Sequence, residues 1–259
     1  MSAKKETLGK TVGVVVAVCL VCSIIVSGAA VGLRELQQTN AALDKQSNIL
    51  TAAGLLSEVK TKEDIAIVYD AKVEERFVNL ETGEYVSNPA EGEGKPYDMY
   101  GRVSKAAATS TKMEGSPAGF SRRANIANIY LIKDESGSVT RIILPVHGSG
   151  LWDLMYGFLA LDADGQTIRE LIYYQHKETP GLGGEIQNPD WQKKWDGKQL
   201  FNNGSVAIEV NKGDNKDDLY AVDALSGATL TSNGVENSLQ FWAGENGFGA
   251  YLKKQSWKS

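Results

Sequence analysis

The sequence predicts an α+β protein, in which one N-terminal transmembrane helix is followed by an outer domain with a largely antiparallel sheet and flanking helices. Residues 11–33 form a run of 23 residues without a charged side chain, and a bilayer-spanning helix needs about 20. Between residues 77 and 176, short apolar runs alternate with tight turns, whereas helical patterns come before and after them. That arrangement is typical of an antiparallel sheet with helices packed against it.

Composition excludes several functions. The 259 residues carry a net charge of −5, and the only basic cluster lies in the first ten residues. Because phosphate neutralisation needs Lys and Arg, no nucleic-acid partner is expected. The chain has two His and two Cys, whereas zinc and iron–sulfur sites usually take three or four such ligands, so no metal site is expected. Both Cys19 and Cys22 lie in the apolar run, which leaves the outer domain without thiols.

The charges on either side of the apolar run predict its orientation. Three lysines and one glutamate precede it within residues 1–10, and the following pair, Arg34 and Glu35, cancels. Since lysines favour the cytoplasmic side, residues 1–10 are predicted to lie in the cytoplasm and residues 11–33 in a bacterial inner membrane. The acidic remainder is then periplasmic.

A cleaved signal peptide is the alternative interpretation of this segment. Ser27 and Ala29 form a small-x-small cleavage pattern. However, the apolar run is longer than the roughly 7–15 residues of a signal-peptide core. We therefore favour a retained anchor.

Residues 34–120 are assigned to a stalk helix and the N-terminal part of the outer domain. Leu36, Leu43 and Leu50 recur every seven residues, which predicts a helix over residues 35–57. A second short helix is expected over residues 62–75.

Two less regular segments complete this part of the chain. Residues 77–86 read as two short strands around a turn at 81–83. Residues 87–120 are weakly patterned and rich in Gly, Ala, Ser, Pro and Lys. They are predicted to form a long excursion over the surface.

The pattern sharpens in residues 121–259, which we assign to the main domain. Two strand–turn–strand units are predicted over residues 128–146 and 157–176. A glycine-rich loop follows, then a short helix capped by Asn188 with Pro189 at its first position. The C-terminal part is predicted to contain a strand at 206–210 and a strand–turn–helix unit over 219–242, with Val235, Leu239 and Trp242 on one helix face.

The turn before the last long helix is the most informative segment. Four hydroxyl side chains crowd the start of this helix, at Ser226, Thr229, Thr231 and Ser232. Ser and Thr are favoured helix N-caps, and free N–H groups together with the helix dipole attract anions. Gly227 and Ala228 leave room for a bulky group. The segment predicts either a phosphate-binding site or an ordinary capped helix.

The same turn resembles a known modification motif. Residues 223–229 read D-x-x-S-G-A-T, which resembles the recognition motif of proteins flavinylated through a threonine hydroxyl. The resemblance implies that a flavin transferase uses FAD and leaves FMN on Thr229 through a phosphoester. It also implies that the transferase recognises Asp223, Ser226, Gly227 and Ala228. A covalent tether keeps the flavin at its site outside the cytosol.

A second segment resembles the FMN-binding domains of the same proteins. Residues 176–183 read H-x-E-T-P-G-L-G. The resemblance implies that FMN is bound by residues of this loop together with residues around the attachment threonine. The implied set is Glu178, Thr179, Leu182, Gly183, Ser226, Gly227, Ala228, Leu230 and Thr231.

A third segment narrows the resemblance. Residues 148–157 read G-x-G-L-W-x-x-M-Y-G, which is similar to a segment of the NqrC family, the FMN-carrying subunits of the sodium-pumping NADH:quinone oxidoreductases. Trp152 is hypothesised to stack on the flavin, with a buried structural tryptophan as the alternative. Since anchor, stalk and FMN-binding domain follow in the same order, the chain is identified as a member of this family over nearly its whole length.

The resemblance implies an electron-transfer subunit with covalent FMN, no catalytic side chain of its own and no metal. Implied partners are the other membrane subunits, the flavin transferase during maturation and the lipid bilayer. Two alternatives stay open: the corresponding flavinylated subunit of the related ferredoxin:NAD electron-transport complex, and a membrane-tethered anion-binding receptor without cofactor. His147 is expected to be a satisfied structural histidine, and His176 to orient the flavin loop.

Overall fold

The computed structural model describes residues 8–93 and 96–258, so the predicted cytoplasmic segment lies mostly outside the described residues. The α-helices of the described part are α1 (Leu8–Gly32), α2 (Arg34–Ala52), α3 (Lys62–Lys72), α4 (Arg102–Lys105), α5 (Pro189–Gln192), α6 (Thr229–Ala243) and α7 (Gly249–Lys254). Single 3-10 turns lie at Leu56–Glu58, Gly183–Gln187, Lys193–Trp195 and Ser256–Lys258.

Eight strands precede the glycine-rich loop and four short strands follow it. The first eight are β1 (Val73–Asn79), β2 (Tyr85–Val86), β3 (Ser110–Lys112), β4 (Arg122–Ala124), β5 (Ile126–Lys133), β6 (Val139–Ser149), β7 (Leu154–Asp162) and β8 (Ile168–Gln175). The others are β9 (Phe201–Asn202), β10 (Ser205–Val206), β11 (Glu209–Asn211) and β12 (Ala221–Asp223).

The chain divides into two compact units, one ending at Lys45 and one beginning at Gln46. The first unit contains α1, whose 25 residues are apolar and long enough to cross a membrane. Its side chains are exposed within the chain, which suits a helix that is surrounded by lipid.

The second unit is built on a six-stranded sheet in the order β2-β1-β5-β6-β7-β8, with every neighbouring pair antiparallel. β6 and β7 form the longest pairing, from Arg141 opposite Asp162 to Ser149 opposite Leu154. The predicted α+β class with a largely antiparallel sheet is confirmed.

The sheet buries side chains on both faces, because successive residues of a strand point to opposite sides. On β5, Ile129 and Leu131 contribute to the larger cluster, which α6 completes with Val235, Leu239 and Trp242. The intervening Tyr130 and Ile132 contribute to the smaller cluster on the other face. That face is covered by Ile49 and Ala52, at the end of α2, and by Ala53, directly after it. Burial on both faces explains why the central strands are almost continuously apolar.

The heptad spacing in α2 predicts the helix but not its packing. Leu50 is fully buried, whereas Leu36 is exposed. α3 follows with a capping box, in which Thr61 and Asp64 exchange side-chain and backbone hydrogen bonds. Of the apolar stripe along α2, only the C-terminal end, which contains Leu50, is buried, and this end belongs to the second unit.

The segment 87–120 differs from the predicted surface excursion. Its described residues include α4 and β3, and Tyr97, Met99 and Phe120 are buried in the larger cluster. The Tyr97 hydroxyl donates to the carbonyl of Ile126 at 2.8 Å. The segment packs through single large side chains at irregular spacing, which no helix or strand period reveals.

The predicted strand at 206–210 is divided between two pairings. Val206 ends β10, which pairs antiparallel with β9, whereas Glu209 begins β11, which pairs parallel with β12. The short helix before them is as predicted: the Asn188 side chain accepts from the N–H of Asp190, and Pro189 is the first helical residue.

Candidate functional site

The three segments singled out in the sequence meet at one end of the sheet. β6 ends and β7 begins at the turn 150–153, and the loop 176–182 leaves β8 at the same end. Helix α6 packs against β6 with its first turn at this end. A Cβ at Gly148 would lie only 2.6 Å from the Cβ of Ser238, so a larger residue at position 148 would push α6 away from β6.

A cavity of about 230 Å³ lies between these segments. The sequence-predicted residues that line it are Glu178, Thr179, Leu182, Gly183, Gly227, Ala228, Thr229, Leu230 and Thr231. Leu151 also lines the cavity and was missed, although it stands directly before Trp152 in the third segment. Ser226, Trp152 and Asp223 lie outside the lining.

Glu178 is a buried acidic residue in the wall of the cavity, with 4 % of its surface exposed. Its Oε2 accepts from the N–H of Leu151 at 3.2 Å, and its Oε1 accepts from the N–H of Trp152 at 3.0 Å. The hydroxyl of Thr231 also donates to Oε2. One carboxylate therefore connects all three segments.

The first turn of α6 differs from the predicted hydroxyl cap. The N-cap residue is Ala228, which has no capping side chain. Within the described residues, the backbone N–H groups of Thr229, Leu230 and Thr231 have no hydrogen-bond acceptor. Such free N–H groups at a helix start, aligned with the helix dipole, favour an anion.

The hydroxyl of Ser232 holds the preceding turn from inside. It accepts from the N–H of Leu225 at 3.0 Å and donates to the carbonyl of Ala228 at 3.1 Å. Gly227, at φ +72°, lies in the left-handed region that favours glycine. The turn is thereby shaped so that Ser226 and Thr229 are exposed while Thr231 and Ser232 are buried.

Large apolar side chains surround the mouth of the cavity. Leu151, Leu182 and Leu230 are 49 %, 45 % and 60 % exposed, and Trp152 is 67 % exposed. The indole N–H of Trp152 donates to the hydroxyl of Thr179 at 3.1 Å. Trp152 is therefore an exposed residue at the rim. The alternative of a buried structural tryptophan, which the sequence left open, is wrong.

Asp223 has several partners within the chain. Its Oδ2 accepts from Nζ of Lys194 at 2.6 Å, and its Oδ1 accepts from the N–H of Asn215 at 2.8 Å. The hydrogen bond from Lys194 and then those from Asn215 hold the pKa of Asp223 below its usual value. Neither partner was identified from the sequence, because each is distant along the chain.

The two histidines differ in their surroundings. Nδ1 of His176 accepts from the N–H of Glu178 at 3.1 Å, so His176 does hold the loop. His147 is buried, but its Nδ1 has no hydrogen-bond partner in the described part of the chain. It is therefore not the satisfied histidine that the sequence suggested. Burial lowers the pKa of His147 to about 3.

A larger cavity, of about 890 Å³, lies beside residues 89–109 and contains none of the three segments. Size alone therefore does not locate the functional site. We assign the site to the smaller cavity, because there an exposed hydroxyl, unpaired N–H groups, a buried carboxylate and an apolar rim occur together.

This fold and site define an FMN-binding domain that follows an apolar N-terminal helix. Residues 150–244 match the family described as FMN-binding domain. That range contains the turn 150–153, the loop 176–182 and α6, which are the segments that form the cavity.

The chain belongs to the NqrC family of Na(+)-translocating NADH-quinone reductase subunits. It is 48% identical over 252 residues to the family member from Yersinia pestis, covering 96% of this chain and 93% of that protein. It is 46% identical over 254 residues to the member from Neisseria meningitidis serogroup B, covering 96% and 95%. The family expected from the resemblance is confirmed.

Two solved structures have a similar fold. The crystal structure of Shewanella oneidensis NqrC superposes with a TM-score of 0.74 at 32% identity, covering 81% of this chain and 95% of that chain. The crystal structure of the corresponding Na(+)-translocating NADH-quinone reductase subunit from Parabacteroides distasonis gives a TM-score of 0.64 at 28% identity, covering 85% and 96%.

Proposed function

We propose that this chain carries FMN covalently on Thr229 and serves as an electron-transfer subunit of a Na+-translocating NADH:ubiquinone oxidoreductase. The observation that carries the proposal is the exposed Thr229 hydroxyl at the start of α6, beside a cavity formed by all three FMN-associated segments. When bound, FMN supplies the redox chemistry of electron transfer. The side chains of the chain then bind and orient it without acting as acid or base.

The start of α6 suits the phosphate of FMN. The N–H groups of residues 229–231 have no acceptor within the described residues and stand next to the proposed attachment atom. A helix start stabilises a nearby anion by about 0.3–1 kcal/mol when exposed. That is too little to retain a free ligand, which supports a covalent link.

The rim of the cavity suits the flavin ring. Leu182 and Leu230 offer apolar surface, and Thr179 with Gly183 offers polar backbone and side-chain atoms. Trp152 stands at the mouth, where it is available for stacking. Pockets that enclose a whole drug-sized ligand have volumes of roughly 300–1,000 Å³. A cavity of about 230 Å³ would therefore leave part of the flavin exposed, where a partner's redox centre can approach it.

The proposed cellular arrangement follows from charge and family. Residues 1–10 lie in the cytoplasm, residues 11–33 cross the inner membrane, residues 34–120 form the stalk and the first part of the outer domain, and residues 121–259 form the periplasmic FMN-binding domain. Partners are the other membrane subunits of the pump. A flavin transferase recognises the segment from Asp223 to Thr229 during maturation.

The two alternatives have less support. The relatives that match over nearly the full length are named as subunits of the sodium-translocating enzyme, which favours that complex over the ferredoxin-linked one. The match of residues 150–244 to an FMN-binding family favours a flavin over a cofactor-free anion receptor.

Replacing Thr229 tests the attachment directly. The full chain is coexpressed with a flavin transferase, and its intact mass is measured after denaturation. Wild type is expected to show the mass of one added FMN less a water and to fluoresce on a denaturing gel. Thr229→Ala is expected to lose both signals. Its unfolding midpoint should stay near that of wild type made without the transferase, because exposed substitutions usually change stability by less than about 0.5 kcal/mol.

Thr111→Ala is the matched control, since Thr111 is an exposed threonine on β3, outside the cavity. It should keep the full added mass. Covalent flavin that persists in Thr229→Ala would place the attachment elsewhere. Flavin that is released by denaturing competently modified wild type would refute covalent attachment altogether.

A further inference from the structure

Glu178 occupies an unusual position for a residue expected to contact the flavin. Its three hydrogen-bond donors are the N–H groups of Leu151 and Trp152, in the turn between β6 and β7, and the hydroxyl of Thr231, on α6. Both carboxylate oxygens therefore have partners within the protein. These contacts join the turn 150–153 and the start of α6 at the wall of the cavity.

Two glycines of the surrounding segments make room for this carboxylate. A Cβ at Gly150 would lie 2.5 Å from Oε1 of Glu178, and a Cβ at Gly183 would lie 2.7 Å from Oε2. Contacts this short force either the backbone or the carboxylate to move. The glycines of the turn and of the loop thus serve the placement of Glu178 as well as the approach of a ligand.

The carboxyl group of Glu178 has hydrogen-bond donors but no cationic partner in the part of the chain that the structure describes. Among the ion pairs of the described residues, none includes Glu178. A buried carboxylate is normally paired or fully hydrogen-bonded, and here hydrogen bonds alone fill that role. The carboxyl group of Glu178 thus stands in the wall of the cavity. It contacts Thr231, which lies two residues after the proposed attachment site.

We propose that Glu178 is a positioning residue that joins the turn 150–153 to the start of α6 and places a fixed negative charge against bound FMN. The inference rests on the proposed function. It predicts two separable effects of Glu178. The first is to hold the turn 150–153 in place, which does not depend on flavin. The second is to lower the midpoint potential of FMN, because a nearby negative charge opposes the addition of electrons.

The effect on the turn is measured on the full-length chain produced without a flavin transferase. Glu178→Gln keeps one acceptor oxygen and replaces the other by an NH₂ group, which cannot accept a hydrogen bond. Because Leu151 and Trp152 donate to different oxygens of Glu178, the variant loses the acceptor of at least one of these two N–H groups. Amide hydrogen exchange is expected to become about tenfold faster at Leu151, at Trp152 or at both, according to which N–H group loses its acceptor. Glu185→Gln is the matched control, because Glu185 lies in the following 3-10 turn and its carboxylate contacts Asn188 instead.

The effect on the flavin is measured on the flavinylated chain by spectroelectrochemical titration. Glu178→Gln is expected to raise the midpoint potential, and Glu185→Gln to leave it unchanged. Glu178→Asp keeps the charge on a shorter side chain, so its potential is expected to return towards wild type. If Glu178→Gln acted only by disturbing the packing, restoring the charge in Glu178→Asp would not bring the midpoint potential back towards wild type.

Each result decides one part of the proposal. Unchanged exchange at Leu151 and Trp152 in Glu178→Gln would overturn the positioning role. An unchanged potential in Glu178→Gln, or a potential in Glu178→Asp equal to that of Glu178→Gln, would overturn the role of the charge. If wild type takes up no covalent FMN, the proposed function fails, whereas the exchange experiment on the unmodified chain still decides the positioning role.

Discussion

Glu178 and His147 are both buried titratable side chains near the end of β6, but their surroundings differ. Glu178 has a hydrogen-bond donor on each oxygen. His147 instead stacks against Phe120, with ring centroids 4.3 Å apart, and against Tyr156 at 5.6 Å. An uncharged imidazole fits between these rings, whereas an imidazolium would lose its hydration without gaining a carboxylate partner among the described residues.

The burial of His147 predicts a dependence of stability on pH. Its pKa is about 3 in the folded chain against an ordinary value of 6.5, and the neighbouring Tyr100 and Tyr156 stay neutral because burial raises their pKa. The neutral form contributes fully above pH 6.5, and its contribution is lost as the pH falls from 6.5 towards 3. Between pH 6.5 and 4.5, wild type should lose about 2 kcal/mol more of its free energy of unfolding than His147→Leu.

Urea unfolding of both proteins at a series of pH values measures this difference. The two curves should run parallel between pH 7 and 8, where the histidine is neutral whether folded or unfolded. Curves that stay parallel down to pH 4.5 would show that the folded protein accommodates the protonated ring.

The sequence identified most cavity residues by their segments but not how those residues are used. Thr229 and Ser226 are exposed, as an attachment site needs, while Thr231 and Ser232 of the same hydroxyl cluster are buried. The partners of the buried pair are remote or backbone atoms, Glu178 and the N–H of Leu225. Spacing along the chain cannot reveal contacts that depend on how a loop and a helix meet.

At the level of elements, the start of α6 depends on a side chain inside the helix and not on a cap before it. Ser232 is fully buried and bonds both sides of the turn that contains Gly227. The usual N-cap position holds Ala228. This arrangement leaves the outer N–H groups free for a ligand, which a capping hydroxyl would have occupied.

Removing the Ser232 hydroxyl should therefore loosen the turn that presents Thr229. Ser232→Ala leaves the buried N–H of Leu225 without an acceptor, and an unsatisfied buried donor costs about 1–3 kcal/mol. We expect urea unfolding to show a loss of that size and intact mass to show less attached FMN. Asn233→Ala, at the exposed next position, should change neither measurement, and an equal loss in both variants would refute the assigned role.

The regular elements were predictable where one period dominates. β5 to β8 alternate side chains between two apolar faces, and the face of α6 with Val235, Leu239 and Trp242 is buried as its spacing indicates. Tyr97 and Phe120 were not predicted to be buried, because they come from chain without a repeating pattern. The strand at 206–210 was divided because its two halves pair with different partners.

For the molecule as a whole, the distribution of charge separates the two ends of the chain. Among residues 1–33, three lysines oppose one glutamate, whereas the whole chain carries a net charge of −5. The three lysines and the glutamate all lie within residues 1–10, before the apolar run of residues 11–33. A membrane potential and the insertion machinery both favour keeping the basic end in the cytoplasm.

Cysteine labelling can test this orientation, because the native cysteines, Cys19 and Cys22, both lie in α1. In a variant in which both are alanine, Glu135→Cys places a thiol on the exposed turn between β5 and β6. A membrane-impermeant maleimide, added to cells with a permeabilised outer membrane, should label this thiol without lysis. The matched Ser2→Cys variant should be labelled only after the inner membrane is broken. The reverse pattern would place the FMN-binding domain in the cytoplasm, and loss of the Ser2→Cys peptide from the mature protein would show that α1 is a cleaved signal and not an anchor.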